Sequence, residues 1–266
     1  MIKNLINLDE KDLDLNIYRI YPFGRFIDLM SKKNNVLVKT SLWEDPFENF
    51  ILTSTGVLAS GETFTIGSRE QYFGQCWSYK KESDAMWRIY SQHIKNITTQ
   101  KLILDNIGIK VKSTVRKVFE PLFSAQENQL NPFNKELINV CSFVGKVEYH
   151  NKKRLVELLK NDISNIILDQ SGKNQASTLM FKRLAFTHEK EIRIVYHNNK
   201  CEPSDKIYSY SIEPNICFEE IVVDPRIPKD TYIEIKKKIE EAGFKNKIIQ
   251  SGLYKLEEFT FNSELP

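Results

Sequence analysis

Short runs with a period of two dominate the hydrophobic pattern of this chain, and longer stretches with helical spacing interrupt them. Ile17-Tyr18-Arg19-Ile20-Tyr21 alternates until Pro22 stops it, and similar apolar runs at 36–41, 72–78, 107–112, 140–149, 207–212, 217–223 and 247–250 predict strands. Leu155, Val156, Leu158, Leu159, Ile163 and Ile166 recur at helical spacing and predict a helix over 153–169. Further helices are predicted after Pro22, over 83–94 with Asp84 offering an N-terminal cap, near 113–125 and 176–184, and over 231–242, where Gly243 supplies the stop. Residues 53–70 lack periodicity and read as a loop or hairpin. Strands and helices are interspersed without a βαβ rhythm. This predicts a mixed α+β fold, with a mainly antiparallel sheet flanked by helices. No Pro/Gly/Ser-rich linker divides the 266 residues, so one domain is expected over 1–266, with a mostly helical segment near 94–185.

Composition narrows the chemistry mainly by exclusion. Lys and Arg total 38 against 35 Asp and Glu, and the basic residues are scattered, so charge alone does not point to nucleic acid. The four cysteines, Cys76, Cys141, Cys201 and Cys217, form no C-x-x-C pair, which argues against a zinc ribbon or a redox dithiol. No signal peptide and no apolar run of about 20 residues is visible, so a cytoplasmic protein without a membrane partner is expected. The P-loop, G-x-G-x-x-G, G-x-S-x-G and H-E-x-x-H motifs are missing from the sequence.

The tightest chemical cluster is Thr187-His188-Glu189-Lys190-Glu191-Ile192-Arg193, at the mouth of an apolar, β-branched run. On an extended backbone Glu189 and Glu191 project from one face, where paired carboxylates could bind a sugar hydroxyl and stabilise a developing positive charge. A solvated pair with Arg193 as partner of Glu191 is the alternative. His188 draws notice only through these neighbours, whereas His93, His150 and His197 stand alone.

Arg19 lies in an otherwise apolar strand and needs either an anion such as a pyrophosphate or an ion pair with Asp45 or Glu48. In Cys76-Trp77-Ser78 the serine reaches a strand tip beside an indole that could stack on a nicotinamide or belong to the core. Trp87 and Tyr90, at i, i+3, could line a pocket or serve packing. The acids of Trp43-Glu44-Asp45-Pro46-Phe47-Glu48 lack a histidine-rich partner motif, so no metal is assigned.

These motifs, taken in order with Pro22-Phe23, Met86-Trp87, Val223-Asp224-Pro225 and Gln250-Ser251-Gly252-Leu253, resemble the bacterial and phage family named domain of unknown function 2971. A looser resemblance is to ADP-ribosyltransferases of the arginine, serine, glutamate type, because Arg19, Ser78 and Glu189-Lys190-Glu191 occur in that order. Cys-Trp-Ser stands where that group has Ser-Thr-Ser. The resemblance implies an ADP-ribosyltransferase-like fold, NAD as substrate and a macromolecular acceptor, protein or nucleic acid. It also implies Arg19 as the NAD phosphate or ribose contact, Ser78 as positioner of the nicotinamide ribose, Glu191 as transition-state stabiliser and Glu189 as acceptor-orienting group. Tyr18, Trp77, Trp87 and Tyr90 complete the expected cofactor surface.

Three functions follow as expectations. The first is an NAD-dependent transferase, as a toxin or anti-phage effector. The second is a non-catalytic binding module whose aromatic and acidic groups form a recognition pocket. The third is a metal-dependent nuclease built on Asp45, Glu48, Glu189 and Glu191.

Overall fold

A computed structural model describes residues 4–58, 60–125, 141–167, 169, 172–258 and 260. In chain order the first half comprises β1 (Leu5–Ile6), β2 (Asn16–Pro22), α1 (Phe23–Lys32), β3 (Asn34–Lys39), α2 (Phe50–Thr53), β4 (Thr55–Val57), β5 (Thr63–Thr65), β6 (Tyr72–Ser78), α3 (Asp84–Tyr90), β7 (Gly108–Thr114) and α4 (Val115–Ser124). The second half comprises β8 (Ser142–Lys146), β9 (Glu148–His150), α5 (Lys152–Ile167), α6 (Lys173–Thr178), β10 (Phe181–Arg183), β11 (Glu191–His197), β12 (Ile207–Ser211), α7 (Pro214–Cys217), β13 (Glu220–Val223), α8 (Lys229–Glu241) and β14 (Lys247–Gln250). The fold is mixed α+β, as the periodicity predicts. The 94–185 stretch is not mostly helical among its described residues, because β7 to β10 fall inside it. Residues 126–140 of that stretch lie outside the described residues.

Ten strands form one sheet in the order β1-β8-β11-β6-β2-β7-β13-β14, with β3 joining β6 to β12. Only β1–β8 and β13–β14 are parallel in it. One face carries the larger core. Ile17, Trp77, Ile109, Val111 and Ile192 point there and meet Phe26 of α1, Phe119 of α4 and Ile235 and Ile239 of α8. Burial on this scale, at roughly 25 cal/mol per Å² of apolar area, is what holds the helices to the sheet. The opposite face carries a smaller cluster of Leu52, Tyr72, Phe143, Leu179, Met180 and Val195.

Strand β6 forks the sheet. It pairs with β2 at Tyr18↔Ser78 and with β3 at Val38↔Gly74 and Lys39↔Phe73. Side chains bridge the gap left between these contacts. Arg19 Nη1 donates to the Cys76 carbonyl, and Gln75 Nε2 donates to the Val36 carbonyl at 3.0 Å. A guanidinium in an apolar strand has thus found a backbone acceptor, which neither reading of the sequence anticipates.

Candidate functional site

Residues paired across neighbouring strands project from the same face. In this sheet Glu191 pairs with Ser78, Ser78 with Tyr18 and Tyr18 with Lys112, so four side chains form one row across β11, β6, β2 and β7. Arg193 opposite Cys76 lies one pleat along on the same face. Arg19 and Trp77 alternate to the other face. There the Arg19 guanidinium stands 5.1 Å from the centre of the Tyr21 ring, and Trp77 is 2% exposed. The structure therefore brings Tyr18, Ser78 and Glu191 together and leaves Arg19 behind the sheet.

Beside this row lies a buried charge cluster. Lys182 Nζ reaches Glu189 Oε2 at 2.5 Å, Glu48 Oε1 at 2.7 Å and Glu191 Oε2 at 3.2 Å. Arg193, wholly buried, clasps Glu191 at 2.9 and 3.1 Å and reaches Glu48 Oε2 at 3.2 Å. Its guanidinium lies under the Trp43 ring at 4.6 Å, and Trp43 packs so close to Gly74 that a Cβ there would meet it at 2.5 Å. Phe186 covers Lys182 at 4.7 Å. Three carboxylates thus face two cations, and one negative charge is left over.

The two key carboxylates titrate in opposite directions. Burial alone would push Glu191 up, but Arg193 and Lys182 beside it hold its carboxyl at about 2. Glu189 is raised, because burial outweighs its bond to Lys182. The lysine is itself held protonated, since Glu191 and Glu48 more than offset its burial.

Glu189 and Glu191 do not alternate along one strand. Residues 184–189 form a 3₁₀ turn, Lys190 takes a left-handed conformation at φ 48°, and β11 begins at Glu191. The two carboxylates meet instead through Lys182, which removes the repulsion expected of like charges on one face. Ser78 Oγ donates to the Glu189 carbonyl at 2.5 Å and accepts from Lys80 N at 3.1 Å, tying the turn to the end of β6. Tyr149 Oη accepts from the Glu191 amide at 2.8 Å.

The aromatic expectations divide. Trp77 is core, its Nε1 donating to Gln75 at 2.7 Å, and Trp87 is fully buried with Nε1 donating to Glu82 at 3.1 Å. Neither indole offers an open face to a nicotinamide, because both rings are consumed by packing. Tyr18 is half-buried and Tyr90 is 42% exposed, so these two remain available. The Tyr90 phenol is pushed up to about 12, first by burial and then by the charges of Glu189 and Cys76.

Asp45 binds Arg183 through both oxygens at 3.0 and 3.2 Å and accepts from Phe47 N, so it does not meet Arg19; Glu48 is also spent elsewhere. His188 is exposed. Among the described residues no group of three or more His, Cys, Asp or Glu could hold a metal ion. All four acids of the nuclease reading are instead bound to basic side chains. A dish of about 910 Å³ between α1 and α8, lined by Phe23, Asp28, Asp105 and Lys238 among others, touches none of these groups.

Arg19→Met tests the part that the fork assigns to this residue. Loss of the donor to the Cys76 carbonyl is expected to cost about 1–3 kcal/mol in urea denaturation. Unchanged stability with weakened NAD binding would instead place the guanidinium at the ligand.

No family profile matches the chain, so the resemblance to domain of unknown function 2971 is not confirmed, and no curated protein sequence matches it either. No described helix is long and apolar enough to cross a membrane. Among solved structures the chain is similar to DarT of Thermus sp. 2.9 in three complexes. With NAD+ the identity is 10%, the cover 90% of this chain and 96% of that chain, and the TM-score 0.37. With ADP-ribosylated ssDNA the values are 10%, 90%, 94% and 0.38, and with carba-NAD+ they are 11%, 92%, 97% and 0.36.

Proposed function

We propose that this chain transfers ADP-ribose from NAD to a macromolecule, using the sheet face that carries Tyr18, Ser78, Glu189 and Glu191. The observation that carries the reading is the in-register row Glu191–Ser78–Tyr18, three neighbouring strands contributing a carboxylate, a hydroxyl and a phenol at spacings of roughly 5 Å. Breaking the bond between nicotinamide and ribose builds positive charge on the sugar as neutral nicotinamide departs. An uncompensated negative charge fixed in a buried cluster stabilises that charge without reorganising. Glu189 lies at the outer side of the cluster and Glu191 deeper, so Glu189 faces the incoming acceptor. In this arrangement Tyr18 takes the contact that the resemblance assigns to Arg19.

Lys80, Lys81, Lys146 and Lys190 are exposed around the same end of the sheet. Such a fringe suits a polyanion, so nucleic acid is the acceptor class expected. The test is incubation of the full chain with labelled NAD and a cell lysate, followed by separation of protein from nucleic acid and measurement of free nicotinamide. Label in the nucleic-acid fraction is the expected result. Neither label nor nicotinamide release by the folded chain would sink the transferase reading and leave a recognition surface.

A further inference from the structure

One segment stands outside the core yet is closely bonded. Every residue from Gln92 to Lys101 is exposed, and the segment leaves the end of α3, turns and returns toward β7. At its base the Gln92 N–H donates to the Asn106 carbonyl at 3.0 Å, and Ser91 Oγ accepts from the Gly108 N–H at 2.7 Å. His93 Nε2 lies 3.1 Å from Oδ2 of the buried Asp224, and Arg226, which also binds Asp224, donates to the Ser91 carbonyl at 3.1 Å. The Val223-Asp224-Pro225 motif, which contributes no group to the row or the cluster, thus anchors a hairpin.

Further out, the Ile103 N–H donates to the Ile94 carbonyl at 2.8 Å and Lys95 pairs with Leu102. Asn96 Oδ1 accepts from the N–H groups of Thr98 at 3.0 Å and Thr99 at 2.9 Å, the Asn96 N–H donates to the Lys101 carbonyl at 2.8 Å, and Gln100 closes the turn at φ 56°. These bonds fix a tip that presents Ile97, at 91% the most exposed large apolar side chain among the described residues. Ile89, Tyr90 and Ile94 are exposed on the approach to it. Folding alone gives no reason to order an isoleucine out in water. Lys95 and Lys101 flank the tip, residues 92–104 hold no Asp or Glu, and among the described residues neither lysine meets a carboxylate.

We propose that this hairpin is an arm that holds the acceptor strand of nucleic acid, with Ile97 against the face of a base and Lys95 and Lys101 on the flanking phosphates. The lysines suit a polyanion and the tip needs a flat apolar partner; unpaired bases between phosphates supply both. A duplex supplies them only after two base pairs are prised apart, a cost that one isoleucine and two lysines do not offset. The fixed conformation of the hairpin lowers the ordering cost of the contact. The arm also borders the proposed site. Lys110 Nζ of β7 lies 5.4 Å from the centre of the Trp87 ring of α3 and 5.8 Å from that of Tyr18, so the two elements that carry the hairpin flank the row. Gly108, where β7 begins, stands roughly 13 Å along the strand from Lys112 of the row, so the arm takes the acceptor beyond the nucleotide that reacts.

The inference deepens the nucleic-acid reading of the acceptor and rests on it, but binding is measured without NAD or turnover. The test is fluorescence anisotropy of a labelled DNA single strand of about 20 nucleotides and mixed sequence, and of its duplex, titrated with the full chain. The single strand should bind about fivefold or more tightly than the duplex. Ile97→Ser should weaken single-strand binding by about tenfold. Lys95→Gln with Lys101→Gln should flatten the slope of log affinity against log salt by about 1.4. All three side chains are exposed, so the variants should melt with the unsubstituted chain. Variants that bind as the unsubstituted chain does, or a duplex bound as tightly as the single strand, would overturn the proposal. The transferase reading stands or falls separately, on nicotinamide release from NAD.

Discussion

Arg193→Met should lower the free energy of unfolding by about 3–5 kcal/mol, the usual cost of stripping one partner from a buried ion pair. Arg193 is wholly buried, clasps Glu191 through two bonds and reaches Glu48 as well, so its loss leaves Lys182 alone against three carboxylates. A domain of this kind is stable by only about 5–15 kcal/mol in total, so the variant should melt far lower or fold poorly. Glu189→Gln should behave in the opposite way, because it removes the surplus negative charge and leaves two carboxylates facing two cations.

The contrast depends on pH in a direction that can be worked out. Glu189 titrates higher in the folded chain than its ordinary 4.5, so it favours folding below about pH 4.5 and that contribution is lost as pH rises through the raised value. Glutamine is neutral throughout. Its advantage over the natural residue should therefore be absent below about pH 4.5 and largest near neutrality. Glu191, held at about 2, contributes fully above 4.5, and its contribution fades as pH falls toward 2. Urea denaturation across this range checks both. A loss below 1 kcal/mol for Arg193→Met, or a Glu189→Gln chain whose advantage over the natural chain is no larger at neutral pH than at pH 4, would contradict the charge count.

Glu191→Gln should reduce kcat for nicotinamide release by about 10²–10³-fold while leaving KM for NAD nearly unchanged, the pattern of a group that acts on the transition state alone. The substitution keeps the shape of the side chain, and Arg193 retains Glu48 as an anionic partner. Folding should survive, as circular dichroism would show. Turnover within threefold of the unsubstituted chain would remove Glu191 from the chemistry and make the cluster a structural tie.

Much of this architecture could be read from local pattern. The β2, β6 and β11 strands follow from alternation and β-branched runs, and α5 and α8 from helical spacing. The site was legible only in part. That Tyr18 rather than Arg19 shares a face with Ser78 depends on the pairing register, which a single strand's sequence does not disclose. Extended geometry for Glu189-Lys190-Glu191 failed because Lys190, a non-glycine residue, adopts φ 48°, an uncommon conformation. Nothing in the local pattern singles out Lys182, since β10 has only three residues and shows no periodicity. Its one sequence signal is a lysine followed at short range by two glutamates, a pattern common on any solvated surface.

The seven-pair ladder between β2 and β7 runs from Asn16↔Thr114 to Pro22↔Gly108, whereas β2 touches β6 at a single pair. A slip of one position along that ladder would exchange a phenol for a guanidinium at the proposed ligand surface. The choice between two adjacent side chains, and with it the chemistry on offer, is thus made on the far side of the strand, by backbone bonds that never approach the ligand.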